Sequence, residues 1–276
     1  MVELLGAAEI RSLAAELDLR PTKKLGQNFV IDPNTIRKIV AAAQLMHTDK
    51  VVEIGPGLGS LTLGLLEKVD QLTAIEFDEK LATRLATTLK QKAPESRCQI
   101  IHADAMGVTD LAFEPDALVA NLPYNISVPV ILHFLESFPS ISKVLVLVQA
   151  EVAARLVAGP GSKTYGSPSA KLAWYGKATA AGVVSRSIFW PVPNVDSALV
   201  YFEKRSTPLP PSLRPEVFRV IDGAFAQRRK TLRQALATWA GSPDQAEQIL
   251  LKAGISPQAR GEDLGIDYFI EVAKQK

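Results

Sequence analysis

One cysteine, Cys98, stands in 276 residues. It excludes an intramolecular disulfide and points to a reducing compartment. Inside the strand-like "RCQIIHAD" it reads as core filler rather than a nucleophile. Histidine is almost as scarce: His47, His102 and His133 are scattered with no ligand spacing, so no metal is expected. No apolar run is long enough to cross a bilayer. The opening "MVELLGAAEIRSLAAELDL" lacks a cationic start and carries acids throughout, so it reads as an amphipathic helix rather than a signal peptide. The expectation is a cytoplasmic protein without a membrane partner. A charge excess is also missing: 31 Lys and Arg against 29 Asp and Glu leave +2, so a nucleic-acid partner has to be argued from local clusters. Internal repeats and low-complexity tracts are absent. Hydrophobic residues, at 47%, supply a full core and argue against disorder. The length suits one large domain and a small one.

From residue 50 a strand–helix alternation begins. "KVVEIG", "QLTAIEF", "CQIIHAD", "ALVANL" and "KVLVLVQ" are short, apolar and mostly β-branched. Helix-length segments separate them, among them "DEKLATRLATTLKQKA", for which Asp78 is the expected cap. "ATAAGVVS" and "VDSALVYFEK" read as two further strands joined without a full helix between them. Seven strands in this order predict an α/β fold with a doubly wound, mostly parallel sheet and an antiparallel strand near its end. "STPLPPSLRP", with four prolines in residues 206–215, ends that pattern. Beyond it the pattern is helical: "EVFRVIDGAFAQRRKTLRQALATWA", "PDQAEQILLKAG" and "DYFIEVAKQ". The expected division is a first domain over 1–206, with a helical N-terminal extension over 1–48, and a small α-helical domain over 207–276.

"VVEIGPGLGSLT" places Gly55, Gly57 and Gly59 between the first sheet strand and a helix. Glycine there lets the chain turn tightly and approach a ligand with no Cβ in the way. Glu76 ends the next strand, where a carboxylate can accept both hydroxyls of a ribose. Asp104, followed by Ala105, ends the third, within reach of an exocyclic adenine amine. Each feature alone has a plainer explanation, a turn or a helix cap. Together, at successive strand ends, they describe a nucleoside site. No Walker lysine follows the glycines, and Glu53 inside the motif disfavours a phosphate; a cationic sulfonium suits it better.

The fourth strand ends in "NLPY", residues 121–124. Alone it would read as a turn. After a nucleoside site it resembles the adenine-N6 methyltransferases that use S-adenosylmethionine. The N6 lone pair of adenine is delocalised into the ring and is a poor nucleophile. Acceptors on its two N–H groups favour a pyramidal nitrogen: the side-chain carbonyl of Asn121 and the backbone carbonyl of Leu122, which Pro123 holds extended. Tyr124 can stack on the base. Catalysis would rest on alignment and fixed dipoles.

Other segments sharpen the resemblance. "KKLGQNFVID" (23–32), "PGSKTYG" (160–166), "FWPVPNVDSALV" (189–200), "FAQRRKTLRQAL" (225–236) and "ISPQARGEDL" (255–264) are similar to the ribosomal RNA adenine dimethyltransferase (KsgA) family, from about residue 20 to the C-terminus. Val30 stands where the family usually has Leu. The resemblance implies a class I, Rossmann-like methyltransferase with S-adenosylmethionine as donor and S-adenosylhomocysteine as product. The implied substrate is a pair of adjacent adenosines near the 3′ end of small-subunit (16S) rRNA, within a 30S assembly intermediate, modified by a monomer. It implies cofactor contacts at Gln27, Asn28, Val30, Gly55, Gly57, Gly59, Glu76, Asp104, Ala105 and Asn121. Target-adenine contacts fall on Asn121, Leu122, Pro123, Tyr124 and Phe189; for Phe189 a core role before a Pro-rich loop is the other reading.

RNA contact is expected from two acid-free basic clusters, "RPTKK" with Lys23 and Lys24, and "QRRKTLR" on a C-terminal helix with Arg228, Arg229, Lys230 and Arg233. A solvated helix face is the plainer account of the second. The rivals are the macrolide-resistance branch acting on large-subunit rRNA, a DNA adenine methyltransferase, and an assembly factor that binds pre-ribosomal RNA without needing its methyltransferase activity.

Overall fold

The computed structural model describes residues 2–19, 28–123 and 126–276. Gln27, Lys23, Lys24 and Tyr124 therefore lie outside the described residues. The chain divides into two compact units, Met1–Ala153 with Thr179–Glu203, and Ala154–Ala178 with Lys204–Lys276. The segment 154–178, which the proline break at 206 assigns to the first domain, clusters with the second unit.

The first unit opens with α1 (Ala7–Glu16), β1 (Phe29–Val30) and α2 (Pro33–Ala42). Asp32 caps α2 by accepting from the Thr35 N–H at 2.9 Å, and Pro33 suits the first helical position. The strand–helix alternation runs through β2 (Lys50–Ile54), α3 (Ser60–Leu66), β3 (Gln71–Glu76), α4 (Glu79–Lys92), β4 (Arg97–His102), β5 (Ala117–Asn121), α5 (Ser127–Ser137) and β6 (Lys143–Gln149). Asp78 caps α4 as its sequence position requires, accepting from the N–H groups of Lys80 and Leu81. Leu81, Leu85 and Leu89 recur every fourth residue on α4 and are buried, each contributing about 1.5–3 kcal/mol. α6 (Ala150–Leu156), α7 (Ser167–Tyr175), β7 (Gly176–Val184), β8 (Phe189–Trp190) and β9 (Ser197–Lys204) come next.

The sheet has seven strands in the order β4-β3-β2-β5-β6-β9-β7. β2 through β6 pair in parallel, and β9 runs antiparallel to β6. All seven strands read from the sequence are present. From β2 the chain builds outward through β3 and β4, then returns to lay β5 on the other side of β2. That reversal opens a crevice at the carboxyl ends of β2 and β5, the place where open α/β sheets bind ligands. A separate two-stranded ribbon pairs β1 with β8. Its strands are two residues long and carry no detectable period.

The second unit contains α8 (Arg214–Ala226), α9 (Leu232–Ala235), α10 (Ala237–Ala240), α11 (Pro243–Lys252) and α12 (Ile266–Lys274). Its core includes Val217, Val220, Ile221 and Phe269, with the Phe225 ring between those of Tyr165 and Phe269. The Tyr165 hydroxyl donates to the Leu264 carbonyl at 2.9 Å. One sequence expectation needs correction here. "QRRKTLR" does not lie on a single helix: α8 ends at Ala226 and the next helix starts at Leu232. Thr231 is extended, and the Leu232 and Arg233 N–H groups donate to the carbonyls of Ala259 and Pro257 rather than four residues back. The apolar periodicity continues across the break because Leu232 and Leu236 are buried from the new axis.

Candidate functional site

The crevice holds a cavity of about 380 Å³ within the first unit. Gly55, Gly57, Glu76, Asp104, Ala105, Asn121 and Pro123 reach its wall from the ends of β2, β3, β4 and β5, and Asn28 and Val30 from β1 and its approach. Gly59 is not on the wall. It sits at the N-cap of α3 with φ +97°, a left-handed conformation that favours glycine.

The glycine turn is tied to the third strand. The Gly57 N–H donates to Glu76 Oε2 at 3.0 Å and the Asp78 N–H to Oε1 at 3.0 Å. The carboxylate is thus fixed in orientation, and each oxygen keeps a lone pair for another donor. Burial raises the pKa of Glu76, against the pull of those backbone N–H groups. Asp104 accepts from the Met106 N–H at 2.9 Å. Gly57 has no room for a side chain: a Cβ there would lie 2.9 Å from Cε1 of Phe29.

Asn121 ends β5. Its Nδ2 donates to the Asn28 carbonyl at 3.0 Å, and no donor among the described residues reaches Oδ1. Leu122 is buried, its N–H extends the ladder to the Leu147 carbonyl, and no donor among the described residues reaches its own carbonyl. Phe189 is 2% exposed and pairs with Val30 in the β1–β8 ribbon; it is not on the cavity wall.

Four carboxylates stand on the wall: Glu53, Glu76, Asp78 and Asp104. No Lys, Arg or His from the described residues accompanies them. Glu53 is fully buried, and burial pushes its carboxyl up to about 8, with the Thr62 hydroxyl acting against the rise and the Glu76 charge adding to it. Its Oε2 and the Ser60 hydroxyl, both on the wall, have no hydrogen-bond partner among the described residues. Sequence reasoning used Glu53 only to exclude phosphate, and it missed Phe77, Phe29 and Ile126. Phe77 was findable as the residue after the ribose acid. It is 68% exposed although it lines the cavity, an aromatic left in water beside the candidate nucleoside site.

The four basic residues of "QRRKTLR" fall into two groups. Arg228 pairs with Glu262 at 2.8 Å and donates to the Ser162 carbonyl, and Arg233 pairs with Asp244 and Glu247, each at 2.7 Å. Arg229 and Lys230 are exposed in the turn after α8 and make no ion pair among the described residues.

The fold and the site define a class I, Rossmann-like methyltransferase architecture. A dimethyladenosine transferase from Plasmodium falciparum superposes with a TM-score of 0.74 at 23% identity, covering 87% of this chain and 94% of that one. The 23S rRNA methyltransferase ErmE superposes at 0.66 with 25% identity, covering 90% and 99%. In sequence, the ribosomal RNA adenine dimethylase profile matches residues 19–276. Two relatives named ribosomal RNA small subunit methyltransferase A agree with it. That of Streptomyces coelicolor is 56% identical over 99% of this chain and 97% of its own length; that of Thermobifida fusca is 55% identical over 99% and 96%. The chain belongs to the ribosomal RNA adenine dimethylase family.

Proposed function

We propose that this protein transfers methyl groups from S-adenosylmethionine to the N6 atoms of two adjacent adenosines near the 3′ end of small-subunit rRNA, forming N6,N6-dimethyladenosine during 30S assembly. We place it in the cytoplasm and read it as acting as a monomer. Among the described residues no helix is long and apolar enough to cross a membrane.

The cavity suits the donor by its chemistry. Glu76, Asp78 and Asp104, without a cation from the described residues and beside a Glu53 that burial keeps protonated near neutral pH, favour a positively charged ligand and repel a phosphate. Glu76, held by two backbone N–H groups, is placed to accept ribose hydroxyls, and Asp104 to accept from an adenine amine. S-adenosylmethionine, when bound, supplies a methyl group on a cationic sulfur.

The observation that carries the reading is Asn121 on that same wall, with an Nδ2 hydrogen given to Asn28 that fixes the amide's orientation. Oδ1 is left to accept from the target amine. Beside it, the Leu122 carbonyl is the second acceptor. Two fixed acceptors would draw the N–H groups out of the ring plane and steady the positive charge as the N–C bond formed and the methyl–sulfur bond broke, with S-adenosylhomocysteine leaving. The proton then leaves to solvent. Tyr124 is assigned to a face of the base; Phe189, buried in the core from the β1–β8 ribbon, takes the packing role instead. Arg229 and Lys230 are assigned to phosphates, with Lys23 and Lys24; Arg228 and Arg233 shape the surface that presents them.

The test is transfer of labelled methyl to unmethylated small subunits, with large subunits and duplex DNA alongside. Dimethyladenosine in small-subunit RNA alone, lost in Asn121→Ala, is the expected result. Label in the large subunit would instead assign the resistance-type reaction.

A further inference from the structure

The β1–β8 ribbon joins two parts of the site that the sequence separates by about 160 residues. Phe29 pairs with Trp190 and Val30 with Phe189, and the Ile31 N–H donates to the Ile188 carbonyl at 2.9 Å. The rings of Phe29 and Trp190 stack, 19° from parallel with centroids 6.4 Å apart. Phe29 also presses on Gly57, the middle glycine of the cavity turn: a Cβ there would lie 2.9 Å from its Cε1. Asn28, one residue away, takes the Asn121 side chain. Phe29 is on the cavity wall and Trp190 is not.

We infer that Trp190 is a positioning residue for cofactor binding: its ring backs Phe29, and through Phe29 it holds the Asn28–Val30 wall against the glycine turn. A two-residue strand cannot hold its place by its own ladder, because so short a pair makes few hydrogen bonds. The stack supplies what the ladder lacks. An aromatic pair contributes beyond its buried area, and its offset geometry fixes the orientation of both rings. Without the ring behind it, Phe29 keeps its other core neighbours but loses the contact that fixes its tilt toward Gly57. The cavity wall then loosens, and the carbonyl that orients Asn121 moves with it. Trp190 thereby tunes cofactor affinity without touching the cofactor.

This rests on reading the cavity as the S-adenosylmethionine site. The experiment is calorimetric titration of S-adenosylmethionine into the full-length wild type, Trp190→Phe and Trp190→Leu, with thermal melts of each. Leucine keeps apolar bulk and loses the ring; phenylalanine keeps a ring. Trp190→Leu is expected to weaken binding about three- to tenfold, and Trp190→Phe less than about twofold. Equal affinity in wild type and Trp190→Leu would overturn the proposal. So would equal weakening in both variants. A wild type that does not bind at all would overturn the cavity reading itself, which separates that failure from this one.

A second measurement stands if Trp190→Leu does not fold. Trp174 and Trp239 both belong to the second unit, so Trp190 is the first unit's tryptophan. Titration of the wild type should shift its emission. The shift should vanish in Trp190→Phe while heat of binding persists. Emission that ignores binding would count against the coupling of Trp190 to the wall.

Discussion

The side-chain amide of Asn121 donates to the backbone carbonyl of Asn28, across 93 residues of sequence, at 3.0 Å. One bond therefore decides which end of the amide is left for chemistry. Asn121→Asp keeps the shape and removes the donor, setting a carboxylate oxygen against a carbonyl. The expected result is a fall in kcat of about 10²–10³-fold, the size seen when one fixed dipole is lost from an active site. Single-turnover methyl transfer measures it, and an unchanged melting temperature separates it from misfolding.

Gly59→Ala tests the turn. The new Cβ would lie 2.7 Å from Cδ1 of Leu85, at a φ of +97°. Left-handed strain and overpacking together should cost about 2–5 kcal/mol. Chemical denaturation should show it; a loss under about 0.5 kcal/mol, the range of an ordinary surface change, would mean that the turn relaxes freely.

Glu53 should make stability depend on pH. Its carboxyl titrates near 8 when folded, against an ordinary value of 4.5. Between those values the folded protein holds a proton that the unfolded chain has released. Stability therefore falls as pH rises from about 4.5 to about 8, then levels off. Glu53→Gln is isosteric with the protonated acid and removes that dependence. The variant should match the wild type near pH 4.5 and melt higher at pH 8 in the absence of ligand. Parallel melting curves across this range would refute the burial effect.

The basic turn should separate by partner. Arg229→Ala with Lys230→Ala should weaken RNA binding and reduce the log–log salt slope by about 1–2, leaving the melt unchanged. Arg228→Ala should act on the second unit instead. It breaks the pair with Glu262, a partly exposed bridge worth under about 1 kcal/mol, and frees the Ser162 carbonyl. Salt titrations of RNA affinity beside thermal melts distinguish the two.

Much of the first unit was legible because buried parallel strands announce themselves as short apolar runs, and Asp78 marks where a helix begins. The wall residues Gly55, Gly57, Glu76, Asp104 and Asn121 were legible because strand ends at a switch point are where ligands bind. Two things were not. The β1–β8 ribbon is two residues deep, too short for any period, and only the fold brings Phe29 to Trp190. The break after Ala226 was invisible because its cause is distant: the carbonyls of Pro257 and Ala259 capture the N–H groups of Arg233 and Leu232. Hydrophobic spacing reports which face is buried, not where a neighbouring loop interrupts the axis.

The order of the last two sheet strands bears on how the chain is made. β7 leaves the ribosome before β9, yet in the finished sheet β9 lies between β6 and β7. A newly made β7 therefore emerges beside an edge of β6 that has to stay open for a strand not yet synthesised. Its sequence, "GKATAAGVV", is glycine- and alanine-rich and a weak competitor for that edge. "SALVYFEK" of β9 is β-branched and aromatic and takes the place when it arrives. The poverty of β7 in strong strand formers then protects the vacancy, and a more strand-prone β7 would trap the nascent sheet one strand short.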